Sequence, residues 1–487
     1  MPAPTVDHAI TLYRAQRLGE AQAEARAVVE ADPADVTAWN LLGFLERDLG
    51  DIRAAAAAFD CALALRPEDT TALKGRARVA LERHEPDTCT RYLAARAAAP
   101  DDPHVVLEQA EALVADGATG ALSDLAELAR RLPRWAEGQV GLARLLWEGE
   151  RRADFADHIR MLLDQNPGDA DLWRGLIALL HDCRHYAQAA AAARAASEQL
   201  PGQDWALLEA INAGHAGDLD RAQSLFAGLP ALFPGRATAE AVHYIRRGMA
   251  HSAAAAVEAA LNAGPSDVSL WAVAELVWRW TGDTRSHWLS GQAGLVRETD
   301  LPLAPDRFRA VHALLLKLHQ SGSELAGQSV RAGKQTRGRL FDRVEPEFAE
   351  LRDAVKEQIA DYVAGLPPAD SRHPLLRYRH EPFAIGGSWS VRFVGGGYHV
   401  SHIHPLGLLS SACYFEVPET AATEGQLLLG APPSDFGLEL EPLRVVTPCP
   451  GKMVLFPSYL HHGTRPFHSG TRLSVAFDVV RQPGTRG

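Results

Sequence analysis

The chain has 487 residues, a formal net charge of −12, and 47% hydrophobic against 23% charged residues. That is the profile of a globular protein able to bury a sizeable core, neither disordered nor collagenous, and the acidic balance argues against general nucleic-acid binding, which needs basic surface. No run of 18 or more apolar residues and no basic start followed by an apolar stretch occurs, so neither a membrane helix nor a signal peptide is expected, and five widely spaced cysteines with no CxxC pair read as isolated thiols in a reducing cytoplasm.

In chain order, the first feature is a repeat. Prolines stand at Pro33, Pro67, Pro100, Pro133, Pro167, Pro201, Pro234 and Pro265, with gaps of 34, 33, 33, 34, 34, 33 and 31 residues. A helix-turn-helix repeat of about 34 residues is the tetratricopeptide (TPR) period. Trp39, Leu42, Gly43, Ala55, Phe59, Ala62 and Pro67 fall where that pattern has them, and Trp39, Trp173 and Trp271 each lie six residues after a repeat proline. Gly43 and Ala55 let paired helices approach, and proline ends a helix because it cannot donate the helical hydrogen bond. The stretch 68–133 lacks the Trp-Leu-Gly signature and keeps only the helical periodicity and the proline. The expectation is an α-solenoid over residues 5–285. Such an array offers a surface to a peptide or protein, and its tryptophans are expected to be core.

Residues 286–366 read as a helical junction, with helices over 307–320 and 346–366 separated by a basic, glycine-rich loop, Gly327–Phe341. Beyond Pro367 the chain turns to short β-branched segments broken by Gly and Pro, which is strand-and-turn patterning. Candidate strands are 388–393, 399–404, 410–417, 426–429, 452–456 and 472–480, giving a sandwich or barrel over residues 367–487. Gly395–Gly397 has no following Lys-Ser/Thr or helix, so it reads as a turn or flexible lip rather than a phosphate loop.

Eight of the 20 histidines fall after residue 370: His373, His380, His399, His402, His404, His461, His462 and His468. On a strand, His402 and His404 would point to one face and could reach one metal. A third imidazole could come from His461 or His462, of which only one can face inward. Arg472 follows ten residues after His462, with Ser474 on the same face. Three ligands on one face of an octahedral iron leave the other open. An arginine with a nearby hydroxyl suits the far carboxylate of 2-oxoglutarate better than lysine would. Tyr414, on the strand after the first pair, could donate to the same co-substrate or be a core tyrosine. Trp389 reads as packing. Arg392 is open between pocket and solvent, and Gln335, Thr336 and Arg337 are candidates for a lid or substrate loop.

Seven segments in order carry a more specific resemblance: Gly333-Lys-Gln-Thr-Arg-Gly-Arg-Leu-Phe341, Ser388-Trp-Ser-Val-Arg-Phe393, Gly397-Tyr-His-Val-Ser-His-Ile-His-Pro405, Ser410-Ser-Ala-Cys-Tyr-Phe415, Gly451-Lys-Met-Val-Leu-Phe-Pro-Ser-Tyr-Leu460, His462-Gly-Thr-Arg-Pro-Phe467 and Arg472-Leu-Ser-Val-Ala-Phe-Asp478. Residues 327–482 thereby resemble a bacterial family of TPR-containing 2-oxoglutarate/Fe(II)-dependent oxygenases. The resemblance implies a multidomain α + β protein, a TPR α-solenoid followed by a double-stranded β-helix (jelly roll). It implies Fe(II) at His402, His404 and His462, and 2-oxoglutarate at Arg472. The co-substrates would be 2-oxoglutarate and O2, and the activity hydroxylation of a peptide, a protein or a carrier-presented small molecule. The usual pair in the wider superfamily is His-x-Asp or His-x-Glu, and His404 departs from it. Two rivals follow: a three-histidine dioxygenase that does not use 2-oxoglutarate, and a non-enzymatic TPR adaptor with a degenerate barrel.

Overall fold

The computed structural model describes residues 3–482 apart from 119, 150, 203, 265–266, 321–324 and 420–422. Pro265, the last repeat proline, lies outside the described residues. The chain divides into two compact units, one of residues 1–132, 337–352 and 481–487, the other of residues 133–336 and 353–480. Among the described residues, no helix is long and apolar enough to cross a membrane.

In the first unit, helices pair into hairpins from Val6–Arg14 with Leu18–Ala31 to Pro103–Ala115 with Ser123–Arg131. The weakly patterned stretch after residue 68 is as helical as the rest. The period has a local cause. Two residues after successive prolines stand Asp35, Asp69 and Asp102, each capping the first helix of its hairpin through its carboxylate. Phe59 is fully buried between two glycines, and a Cβ at Gly43 or Gly75 would fall 2.7 or 2.4 Å from its ring. The indole of Trp39 donates to the Pro33 carbonyl at 2.9 Å, so this tryptophan is committed within its own repeat. The second half of the glycine-rich stretch belongs here too. Leu340 and Phe341 are buried, and the His84 ring donates to the Arg337 carbonyl at 3.0 Å.

In the second unit the hairpins continue from Ala136–Glu148 to Val268–Thr281 and Arg285–Ser290. Asp169 and Asp267 repeat the cap, and Trp173 repeats the indole bond to Pro167 at 2.9 Å. The turn inside most of the hairpins uses one left-handed residue, and the 34-residue rhythm shows there as well. Gly50, Gly117, Gly217, Gly248 and Gly282 take positive φ, as the non-glycine residues Gln16, His84 and Arg184 do. For those three the conformation costs about 1 kcal/mol each.

The sheets belong to the second unit. Among the described residues nine strands form: β1 (Arg297–Asp300), β2 (Val330–Gln335), β3 (Phe383–His399), β4 (Leu409–Glu416), β5 (Leu427–Leu429), β6 (Arg444–Val446), β7 (Lys452–Pro457), β8 (His462–Thr464) and β9 (Thr471–Arg481). The larger sheet has the order β1-β7-β4-β9-β3-β2 and the smaller β6-β5-β8. The protein is thus α + β, with helical repeats ahead of antiparallel sheets. The helices Pro305–Leu318 and Pro346–Ala364 lie where the sequence places them.

Three local expectations need correction. Residues 327–341 are not all loop, because Val330–Gln335 pairs antiparallel with β3. The alternation Val-Arg-Ala-Gly-Lys-Gln is too polar and glycine-rich to announce a strand, and the pairing with β3 supplies what propensity does not. Gly395–Gly397 is no lip but a bulge inside β3, where the register jumps from Arg331↔Tyr398 to Gly333↔Phe393. A Cβ on Gly397 would meet the Phe393 ring at 2.3 Å, at a φ of +139°. Finally, 399–404 is not a strand. β3 ends at His399, and the chain then crosses to the smaller sheet, touching it at the single bridge His402↔His462 before Pro405, which has no N–H to donate.

Candidate metal centre and carboxylate pocket

His402 and His404 converge without strand geometry. Their Nε2 atoms lie 3.1 Å apart, and the ring of His462 stands with its centroid 4.2 Å from His402 and 5.0 Å from His404. One nitrogen of each of the three lies within 4.8 Å of the others. Backbone geometry sets the spacing: His402 N–H donates to the His462 carbonyl at 3.0 Å, and His462 N–H returns the bond at 2.9 Å.

The outward nitrogens fix the tautomers. His402 Nδ1–H donates to the Val400 carbonyl (2.9 Å), His462 Nδ1–H to the Leu460 carbonyl (3.0 Å), and His404 Nδ1–H to Asp478 Oδ1 (2.6 Å). Each Nε2 therefore presents a lone pair inward. Two acceptor lone pairs 3.1 Å apart repel unless a cation sits against both. Burial, reinforced by neighbouring imidazoles, pushes His402 down to about 3 and His462 well below the usual histidine range. These two imidazoles are thereby held neutral, each with a lone pair free at its inner nitrogen, which is what a divalent transition metal requires.

A cavity of about 570 Å³ opens over these nitrogens. From β9, Arg472, Ser474, Ala476 and Asp478 all line it, at the two-residue spacing that puts alternate side chains on one face. Arg472 is only 2% exposed. Its Nη1 donates to the Gly425 carbonyl at 2.7 Å, and among the described residues its buried Nε has no partner. Burial lowers its pKa, and the one group that counters this is Tyr414. A buried guanidinium without a carboxylate is costly. It fits a site whose anion arrives with a ligand.

Tyr414 pairs with Ser474 across β4 and β9 and lies under Arg472, the guanidinium 5.3 Å from its ring centroid. It does not line the cavity, its hydroxyl is buried without a partner, and burial pushes it up to about 12. Of the adjacent histidines, His462 joins the cluster, while His461 lines a separate cavity of about 420 Å³ beside Phe436. His373 is structural: its Nδ1 accepts from the N–H groups of Leu375 and Leu376 and its Nε2–H donates to Leu289. His380 and His468 are exposed. Gln335 lines the cavity over the three histidines, but Thr336 is pinned to Ser390 by two bonds of 2.9 Å and is no part of a free lid. Trp389 packs on His404 with ring centroids 5.3 Å apart.

Two contributions are absent from the sequence reading. One is Asp478, which the even spacing from Arg472 along β9 could have pointed to. The other is a helical hairpin: His181, Asp182, Arg184 and Tyr186, at the turn between Ala170–Asp182 and Tyr186–Gln199, line the same cavity as the histidines. Gly327 N–H donates to the Asp182 carbonyl at 3.2 Å, tying the approach to β2 to that turn. Nothing in the local sequence signals this contact.

Comparison with known proteins bears on the same segment. Residues 387–478 match the model of a family described as "Putative 2OG-Fe(II) oxygenase", so this part of the chain is a domain of that family. No curated protein matches the chain. Among solved structures, a tetratricopeptide repeat protein from Parabacteroides merdae is 17% identical with a TM-score of 0.35, covering 46% of this chain and 89% of that one. A prolyl-4-hydroxylase from Pseudomonas putida is 18% identical with a TM-score of 0.29, covering 40% and 94%. HygX from Streptomyces hygroscopicus, solved with nickel and 2-oxoglutarate bound, is 12% identical with a TM-score of 0.28, covering 38% and 83%. Likenesses this distant carry no argument about the site.

Proposed function

We propose that the protein is an Fe(II)- and 2-oxoglutarate-dependent dioxygenase, a hydroxylase whose substrate is a peptide or protein, or a small molecule presented by one. One observation carries this reading. Three inward imidazole lone pairs and a buried arginine that has no carboxylate partner among the described residues line a single cavity. His402, His404 and His462 would hold the iron, and Arg472 with Ser474 the far carboxylate of 2-oxoglutarate. Tyr414 acts from beneath, its ring face supporting the guanidinium. When bound, iron supplies the redox centre at which 2-oxoglutarate and O2 are consumed to oxidise a C–H bond.

The chain's own work is binding, orientation and exclusion of water. The carbonyls of Val400 and Leu460 hold two imidazoles in the metal-binding tautomer. Phe456 packs edge-on against His462 at 4.8 Å and Trp389 covers His404, so both rings are shielded on their outer faces. The turn at His181–Tyr186 supports a substrate that meets the helical repeats as it reaches the metal.

The test is an anaerobic titration of metal-free protein with iron(II) and then 2-oxoglutarate, following the weak visible charge-transfer band of the chelate. A band in wild type that weakens in Arg472→Ala and His462→Ala is expected. Iron binding with no band would point to a three-histidine dioxygenase that does not use 2-oxoglutarate. No metal binding would leave an adaptor.

A further inference from the structure

A third histidine in place of a carboxylate costs a metal site one negative charge, and His404 occupies that place. The structure returns a carboxylate to the same position, one residue further out. His404 Nδ1–H donates to Asp478 Oδ1 at 2.6 Å, in the short range of charge-assisted bonds. His402 and His462 rest on neutral backbone carbonyls at 2.9 and 3.0 Å, so one imidazole of the three is backed by an anion.

Asp478 is held for this task. Its Oδ1 also accepts from Ser410 Oγ at 3.0 Å, and Ser410 Oγ lies 2.9 Å from Ser458 Oγ. Both serines are fully buried. Among the described residues its ion-pair partner is His404. The strand that carries Arg472 and Ser474 into the cavity carries Asp478 on the same face. One face of a single strand thus serves both the anion pocket and the metal ligand.

We propose that Asp478 is the positioning residue that completes the metal site. It fixes the His404 ring with Nε2 inward and makes the histidine–aspartate pair the anionic donor that a ligating carboxylate is elsewhere. This inference rests on the metal-binding half of the reading above and not on 2-oxoglutarate use.

Cobalt(II) is a suitable probe, because its visible d–d spectrum reports the donor set without turnover. The full-length chain would be titrated as wild type, Asp478→Asn, Asp478→Glu, His404→Asp and the His404→Asp/Asp478→Asn double variant. Asp478→Asn keeps size and an acceptor oxygen but not charge. It is expected to lower cobalt affinity by roughly 10- to 100-fold and to shift the d–d band, while Asp478→Glu recovers part of both. In the His404→Asp background two carboxylates would face each other, so the same Asn change leaves affinity unchanged or raises it. An Asp478→Asn protein with wild-type affinity and spectrum would overturn the proposal. So would an equal loss in both backgrounds, the mark of a packing residue. Cobalt binding by wild type that ignores added 2-oxoglutarate would remove that co-substrate and still leave the role of Asp478 to be read from the variants. No cobalt binding at all would overturn both.

Discussion

The helical repeats and the sheets solve the same problem, burying apolar surface, at different ranges along the chain. In the repeats nearly everything that matters lies within 34 residues. Pro33 turns the chain, Asp35 caps the next helix, and Trp39 bonds back to Pro33. In the sheets, β9 lies between β4 and β3, and the cavity is lined by residues as far apart as 402, 404, 462, 472 and 478. Local rules therefore fix the first region, while the second exists only when distant strands have met.

The sharpest way to break that contrast is to damage the repeat core and ask whether the site feels it. Phe59→Ala empties the space between Gly43 and Gly75 and is expected to cost about 3–5 kcal/mol. In urea unfolding followed by circular dichroism, metal affinity of the folded protein should be unchanged; a parallel loss of iron binding would mean the two regions are not independent. Next in size is the anion pocket. Arg472→Lys keeps the charge but loses the planar fork, and should weaken 2-oxoglutarate binding by roughly 10- to 100-fold by calorimetry, with iron binding retained.

Acid should separate the regions in a third way. Burial pushes His319 and His373, packed with the sheets, down to about 4. Both stay neutral in the folded protein while the unfolded chain takes up protons below about 6.5. Their contribution is fully present above that value and is lost as pH falls toward 4. At pH 5 the loss is roughly 2 kcal/mol per histidine. His373→Gln should flatten the profile between pH 7 and 5 in urea melts, and an unchanged slope would remove this histidine from the account. The smallest effect belongs to the turns. Arg184→Gly relieves a left-handed backbone and is expected to add about 1 kcal/mol of stability. Gly217→Arg should subtract a similar amount, and a loss at Arg184→Gly would show that its side chain contributes more than its backbone costs.

The same contrast explains what could be read in advance. The period was legible because proline, capping aspartate and tryptophan each act on near neighbours. The histidine pair and Arg472 were legible as chemistry, although the strand assumed for His402 and His404 is an irregular crossing. The strands β6 and β8 are three residues each, too short to show alternation. Asp478 escaped notice because its meaning lies in a partner 74 positions away. The turn at His181–Tyr186 escaped because nothing local distinguishes a hairpin that faces a cavity from one that faces water: its left-handed Arg184 is matched by Gln16 and His84, which do not line this cavity.

That turn has a consequence for how such a protein can be cut or recombined. With His181 and Tyr186 in its wall, the cavity is lined in part by one helical hairpin of the repeats. A fragment containing only the sheets would lack that part of the cavity wall. An exchange of repeats between relatives would then alter what the cavity admits as well as what the repeats capture, and the two properties would be inherited together.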